Sequence, residues 1–543
     1  MTQLTRRSVL GGVAAGIGEL LFQTQLRAAT ALVAKTGKPG ELDLTLTALT
    51  PHILRISIAP TVAPPPTNEL GVLESRHPVP LAGQGEHIAW GQYGIRVEHD
   101  PLRITVTDAA QQIRQEIQFD TDSTTVRFRL GNQPLFGLGE GLVGPDRRGT
   151  RDAMRNGEGS HDLRTAGSRV PIPWLISPEG WGLLIGQPMG IFDFTGDMGV
   201  VRSPVATSTR NVYLILGDTA EILRGYADLT GYPHLPPLWS FGYMQSHRTL
   251  ASRDEVLGIA KTFREKKLPC DALIYLGTGF CPSGWNTGHG SFTFNTDVFP
   301  DPAEMLRQMH AEQFKVVLHV VPPYDFHGRI TDTGSAARTP GDAVPYWAEH
   351  MPAEQIGIDG WWPDEGDDLP AEARLERNRM YWDGQFRAHP ERRPFALHRN
   401  GYAGLQRYGW LWSGDIDSTW KALAAQVING INVGLCGIPY WGTDTGGFFP
   451  THELTPELYI RWFQFSAFCP LFRSHGRAWK LRLPWGWNTG DPGPLEGAET
   501  LGAWPSPRDL HNTEVEPICR KYLELRYQLL PYLYSAAEQT HRT

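Results

Sequence analysis

The sequence predicts an α/β protein: a (β/α)8 TIM barrel preceded by an N-terminal antiparallel β-sandwich. Three observations carry this expectation. At 543 residues the chain is too long for one ordinary core. Residues 41–218 alternate apolar and polar side chains with a period of two, broken often by Gly, Pro, Asp and Asn. Beyond a proline-rich stretch at residue 231 the pattern changes to eight apolar runs separated by helical segments.

In chain order, residues 1–31 read as a leader. Thr5-Arg6-Arg7-Ser8-Val9-Leu10 places paired arginines before a weakly apolar stretch, Gly11 to Phe22, and Ala29-Thr30-Ala31 offers a small-residue cleavage site. This pattern resembles a bacterial twin-arginine export signal and implies a periplasmic or secreted protein. The apolar stretch is too short and glycine-rich to span a bilayer, which needs about 20 apolar residues, and no later segment reaches that length.

Residues 32–230 are assigned to the sandwich. Its strands include Leu42-Asp-Leu-Thr-Leu46, Ile53-Leu-Arg-Ile-Ser-Ile58, Ile104-Thr-Val106 and Thr125-Val-Arg-Phe128. Gly231-Tyr-Pro-His-Leu-Pro-Pro-Leu238 marks the boundary, and residues 231–543 form the barrel. Its strands are expected at Trp239–His247, Cys270–Gly277, Phe314–Tyr324, Ile356–Asp364, Arg393–Asn400, Leu411–Asp415, Gly434–Asp444 and Cys469–Gly476. Helices are expected at Ser252–Lys267, Pro302–Gln313, Ser418–Gly430 and Glu514–Gln539, with Asp417 capping the third. An open doubly wound sheet fits less well, because Gly137-Leu-Gly-Glu-Gly141 follows β-type sequence and opens no helix, so it is no phosphate-cradling turn.

Composition narrows the function. A net charge of −8, without long like-charge blocks, offers no surface for gripping nucleic acid. The 18 Trp and 17 Tyr suit both core packing and stacking on sugar rings. Five cysteines without a CxxC pair signal neither zinc nor a complete disulfide framework, and the 18 histidines include no HxH or HExxH pair, so no metal or cofactor is expected.

Barrel enzymes place their chemistry at the carboxyl ends of the strands. Strand four ends Gly360-Trp-Trp-Pro-Asp364, and strand six ends Trp412-Ser-Gly-Asp415. Two facing carboxylates are what glycoside hydrolysis needs: one attacks the anomeric carbon, while the other protonates the leaving oxygen and then activates water.

Asp359-Gly-Trp-Trp-Pro-Asp364, Arg399-Asn-Gly-Tyr-Ala-Gly-Leu-Gln-Arg-Tyr408, Trp412-Ser-Gly-Asp415, Trp441-Gly-Thr-Asp-Thr-Gly-Gly-Phe448 and Phe472-Arg-Ser-His-Gly476 together resemble glycoside hydrolase family 31. The resemblance extends to Phe136-Gly-Leu-Gly-Glu140, Phe299-Pro-Asp-Pro302 and Leu530-Pro-Tyr-Leu-Tyr534, and so runs from about residue 130 onward. It implies a retaining exo-acting α-glycosidase on α-linked oligosaccharides or glycosides, with Asp364 as nucleophile and Asp415 as acid/base. Arg399 and His475 would hold sugar hydroxyls, Trp362 and Trp412 would line the sugar site, and Asp444 would orient Arg399 or a neighbour. Asp417 rivals Asp415, but the resemblance places the acid/base directly after the glycine of WxGD.

The chain departs from the family pattern in three places. An aspartate expected to close strand two is missing from Tyr275-Leu-Gly-Thr-Gly-Phe280, which favours a sugar other than ordinary terminal glucose. Asp364 is followed by Glu365-Gly-Asp367 where a glutamate is usual at the third position. The sequence also stops at Thr543, where family members continue into C-terminal β domains. Two other readings share the fold, a transglycosylase and an inactive carbohydrate-binding relative.

Overall fold

The computed structural model describes the chain from residue 32 onward except 35–41, 61–68, 74–78, 85, 121–123, 142–143, 155–162, 187–189, 204–209, 248–251, 281–282, 322–342, 368, 478–481 and 488–513. The leader-like segment 1–31 and the end of the third expected barrel strand lie outside the described residues.

Two antiparallel sheets form the N-terminal part. One has seven strands in the order Leu32–Ala34, Leu42–Ala48, Ile53–Pro60, Arg210–Leu216, Trp181–Ile185, Val170–Ser177, Phe136–Glu140; the other has nine and includes Tyr93–His99, Leu102–Thr107, Ile113–Phe119 and Thr125–Arg129. Alternation builds the layer between them: Leu44, Leu46, Ile56 and Ile58 of one sheet share a core with Ile95, Val97, Ile104 and Phe128 of the other. The inner strands of the seven-stranded sheet are buried on both faces, because Ile172, Trp174, Ile176 and Ile215 pack in a separate core with helix α1 (Thr219–Thr230) and residues of the C-terminal part. Val170–Ser177 is accordingly buried at every position.

The C-terminal part is built on parallel strands: β1 (Tyr243–Gln245), β2 (Ala272–Tyr275), β3 (Lys315–Val320), β4 (Gly360–Pro363), β5 (Leu397–His398), β6 (Trp410–Trp412), β7 (Trp441–Gly442) and β8 (Phe472–Ser474). Five pair in the order β4-β3-β2-β1-β8, and three in the order β5-β6-β7. Seven lie inside an expected run, and β6 starts at Trp410, one residue before its run; all eight are shorter than expected, because ladder pairing holds only part of each run, and Gly434 and Leu435 of the seventh run end a helix instead.

Strand parity sorts the side chains. Met244, Ile274, Val317, Trp362, Leu397, Trp410 and Trp412 face one another in an inner core, while Tyr243, Leu273, Val316, Leu318 and Trp361 face outward toward helices. The helices are capped as the sequence allows. Ser252 caps α2 (Arg253–Glu265), accepting from Glu255 N, and Asp301 caps α3 (Pro302–Ala311), accepting from Glu304 N. After α4 (Ala371–Ala388) comes α5 (Trp420–Leu435), where the expectation is corrected: Thr419, not Asp417, is the cap, and the helix starts two residues later than expected. Helix α6 (Pro456–Ser466) is capped by Thr455, and α7 (Val515–Arg542) runs 28 residues. Buried Arg526 of α7 donates to the carbonyls of Phe241, Ala467, Cys469 and Pro470 and so ties that helix to the strands.

The two parts are joined by the glycine run at 137–141. Gly137 (φ 119°) and Gly139 (φ 84°) bring backbone so close to the neighbouring strand that a Cβ would meet Trp174 O at 2.1 Å and Val170 O at 1.9 Å. The backbone thus exposed is taken up by α5. Gly137 N donates to Asn432 Oδ1 (3.0 Å), and Asn432 Nδ2 donates back to Gly137 O (3.1 Å) and Gly139 O (2.5 Å). Among the described residues no helix is long and apolar enough to cross a membrane.

Candidate active site

The carboxyl ends of the parallel strands converge on one cluster. Asp364 follows β4 and is almost wholly buried. Burial alone would raise its carboxyl, but Arg399, then His319, then the Glu365 N–H outweigh it and hold the group below the usual carboxylate range. Arg399 Nη1 stands 3.4 Å from Asp364 Oδ1, His319 Nε2 lies 3.0 Å from Oδ2, and Glu365 N donates to Oδ1 at 2.8 Å.

His319 sits at an inward position of β3, the parity of Val317. Gly277 N donates to its Nδ1 (3.3 Å), which leaves the proton of the neutral ring on Nε2, aimed at Asp364. Phe280 packs edge-on against the same ring, centroids 4.9 Å apart. Sequence reasoning missed His319 because it lies within an apolar run. The signal was available, since it shares strand parity with core residues but is polar.

Arg399, closing β5, knits three aspartates. Nη2 bonds Asp367, and Nη1 stands 3.4 Å from Asp364 and 3.7 Å from Asp415. Asp367 is a second residue that motif reading recorded only as a departure. Asp415 follows β6, and the glycine before it is obligatory: Gly414 has φ 72°, and a Cβ there would meet Ser168 Oγ at 1.9 Å. The Asp415 side chain is 23% exposed against 9% for Asp364, so of the two it is the one open to proton exchange with solvent.

Asp417 is occupied elsewhere. It pairs with Arg164 Nε at 2.6 Å, from the short helix Leu163–Ala166 of the N-terminal part, and its own N–H donates to Arg164 O. This contact, not helix capping, is its structural role.

Beneath the carboxylates lies a second charged layer. Asp444, after β7, bonds Arg473 of β8, and both side chains are wholly buried. The expected orienting role of Asp444 therefore falls on Arg473, not Arg399. The Arg473 guanidinium lies 4.2 Å from the Trp362 ring centroid and 5.1 Å from that of Trp412. Both tryptophans are buried in the inner core, edge to face at 5.3 Å. Burial, reinforced by the charge of Asp415, pushes the Asp444 carboxyl up to about 6 against the pull of Arg473. His475 follows β8, shares a hydrogen bond with Ser246 Oγ through Nδ1 (2.8 Å) and stacks on Phe448. Among the described residues no group of three or more His, Cys, Asp or Glu side chains is disposed to hold a metal ion.

The site is therefore a buried carboxylate held ionised, a second and more exposed carboxylate across one guanidinium from it, and a polar rim. That arrangement suits nucleophilic attack coupled to proton transfer.

Comparison with known proteins bears on what is attacked. The model of the TIM-barrel domain of glycosyl hydrolases family 31 matches residues 233–337 and 337–536. An α-xylosidase of Saccharolobus solfataricus is 28% identical over 485 residues, 79% of this chain and 61% of its own. α-Glucosidase 2 of Bacillus thermoamyloliquefaciens is 28% identical over 387 residues, 61% of this chain and 45% of its own. The chain thus spans about three fifths or less of the length of these curated relatives. Among solved structures, a family 31 dextranase variant of Flavobacterium johnsoniae complexed with isomaltotriose has a TM-score of 0.78 at 22% identity, covering 95% of this chain and 70% of its own. A family 31 α-xylosidase from a soil metagenome complexed with xylose has a TM-score of 0.77 at 20% identity, covering 95% and 85%.

Proposed function

The chain belongs to glycosyl hydrolase family 31, and we propose that it is a retaining α-glycoside hydrolase removing terminal α-linked sugars, with Asp364 as nucleophile and Asp415 as general acid/base. In the first step Asp364 attacks the anomeric carbon and Asp415 gives its proton to the departing oxygen, leaving a glycosyl ester. In the second, Asp415 takes a proton from water, which displaces Asp364 and frees the sugar. Arg399 and His475 bind sugar hydroxyls, and Arg399 keeps Asp364 charged.

The observation that carries this reading is the shared guanidinium. Legs of 3.4 and 3.7 Å from one nitrogen put a ceiling of about 7 Å on the separation of Asp364 Oδ1 and Asp415 Oδ1, which supports the ~5–5.5 Å spacing of retaining enzymes over the ~6.5–9.5 Å of inverting ones. Aryl α-xylosides are the first substrates to test, because the Saccharolobus relative that matches over 79% of this chain is named an α-xylosidase and β2 ends without a carboxylate. Proton NMR of the first-formed sugar decides the stereochemistry: the α anomer is expected, and initial release of the β anomer would overturn the mechanism.

The same proposal includes a closed (β/α)8 barrel over residues 231–543, after a sandwich over 32–230. Isolated parallel bridges at both seams support it, Trp361 with Ala396 between β4 and β5 and Asp444 with Arg473 between β7 and β8. It also includes export through a twin-arginine route, which rests on Arg6-Arg7, the weakly apolar stretch after them and Ala29-Thr30-Ala31, and is tested by replacing both arginines with lysine and locating the protein in cell fractions.

A further inference from the structure

We infer that Glu365 is a specificity-determining residue, whose carboxyl, set beside the nucleophile, holds a hydroxyl of the sugar being cleaved. This rests on the α-glycosidase reading above and goes beyond it.

The carboxyls around Glu365 are engaged: Asp364 by His319 and Arg399, Asp367 by Arg399, Asp415 by Arg399. The Glu365 carboxyl, half-buried, takes no hydrogen bond or ion pair from any described residue. Its backbone, by contrast, is fixed at every point. The N–H donates to Asp364 Oδ1, and the carbonyl accepts from Arg377 Nη1 (2.8 Å) and Asn400 Nδ2 (2.6 Å). These contacts hold a residue with a Cβ at φ 55°, in the left-handed region, where glycine or asparagine would sit at lower cost. An L residue is thus held in that conformation, rigidly rooted on the nucleophile, with a carboxyl that no described residue pairs.

Its surroundings decide what it can bind. The charged groups facing it are Asp364 and Asp367 on its own loop, Arg399 from β5 and Arg377 from α4, with His319 of β3 beyond Asp364. Burial first, then the charge of Asp364, push its carboxyl up to about 7, with Arg399 opposing. Around neutrality it is therefore partly protonated, and a carboxylic acid both donates and accepts, which complements a hydroxyl. The adjacent Asp364 must lie within bonding reach of the anomeric carbon, so a group one residue away is placed to meet a ring substituent.

The test is binding of free monosaccharides, read by tryptophan fluorescence, to wild type, Glu365→Gln and Glu365→Ala. The ligand is whichever of xylose, glucose and galactose wild type binds most tightly, together with its monodeoxy analogues. Glu365→Ala should weaken the parent sugar about 10- to 100-fold, while one deoxy analogue binds wild type and variant equally. Glu365→Gln, which can still donate and accept, should stay within about fivefold of wild type at pH 6 and lose the pH dependence that titration of the Glu365 carboxyl at about 7 gives wild-type binding. Equal losses across all analogues, an unchanged parent affinity, a glutamine variant that keeps the wild-type pH profile, or no sugar bound by wild type would each overturn the assignment. Sugar binding that depends on Glu365 without turnover of any aryl α-glycoside would instead overturn only the hydrolase reading.

Discussion

Replacing Arg399 with glutamine tests whether its charge keeps the proposed nucleophile ionised. Coulomb's law at an effective dielectric of ~20 gives about 5 kcal/mol between Arg399 Nη1 and Asp364 Oδ1 at 3.4 Å. Water filling the vacated space and the surviving His319 bond recover roughly half, leaving about 2–3 kcal/mol, or about two units in the Asp364 carboxyl. The sign follows from which form is favoured. Arg399 lowers this carboxyl, so its loss raises it, and the acid limb of kcat/KM on an aryl α-glycoside moves up by about two pH units. Stability moves with it: a depressed carboxyl stabilises the fold above the unfolded value of about 3.9 and ceases to as pH falls through the folded value. The variant therefore unfolds at higher pH on acidification. An acid limb that stays in place, or moves down, would refute the electrostatic role given to Arg399.

Asp415→Ala should lose at least about 10³-fold in kcat on substrates with poor leaving groups and regain activity with azide, whereas Asp417→Ala should cost at most about 1 kcal/mol through its lost pair with Arg164 and leave turnover nearly intact; the reverse result exchanges their roles. Asp444→Asn leaves the wholly buried Arg473 without its carboxylate, at about 3–5 kcal/mol in urea unfolding, and an unchanged midpoint would mean that the pair adds no net stability. Asn432→Ala strands the N–H and carbonyl of Gly137 and the carbonyl of Gly139 at the join of the two parts, and should cost about 2–4 kcal/mol, read as a fall in thermal midpoint.

The strands were legible because each parallel strand is a short apolar run closed by a polar or small residue, and both proposed catalytic aspartates are such closing residues. Strand ends were overestimated because ladder pairing stops before the apolar run does. Other features depend on partners distant in sequence. Asp417 looks like a cap locally, yet Arg164, 253 positions earlier, occupies it while Thr419 caps the helix. Asp444 finds Arg473 only across the β7–β8 seam. His319 was hidden by its apolar neighbours, and Glu365 by a backbone conformation that no side-chain pattern announces.

On the proposed reading, one of two aspartates that share a cation must stay ionised, and the structure holds Asp364 in that state locally. Asp364 receives the His319 ring N–H and the Glu365 backbone N–H in addition to Arg399, and these donors favour only the charged form. Asp415 meets the same guanidinium at the longer distance of 3.7 Å and is the more open to water. Arg473, one layer below and clamped between Trp362 and Trp412, adds positive charge that Asp444 only partly cancels, since burial draws the Asp444 carboxyl up to about 6 and leaves it partly protonated near that pH. The inner core of the strands is thus continuous with the chemistry above it: the tryptophans that fill it also hold the lower cation, and the cation supports a charged carboxylate where solvent could not.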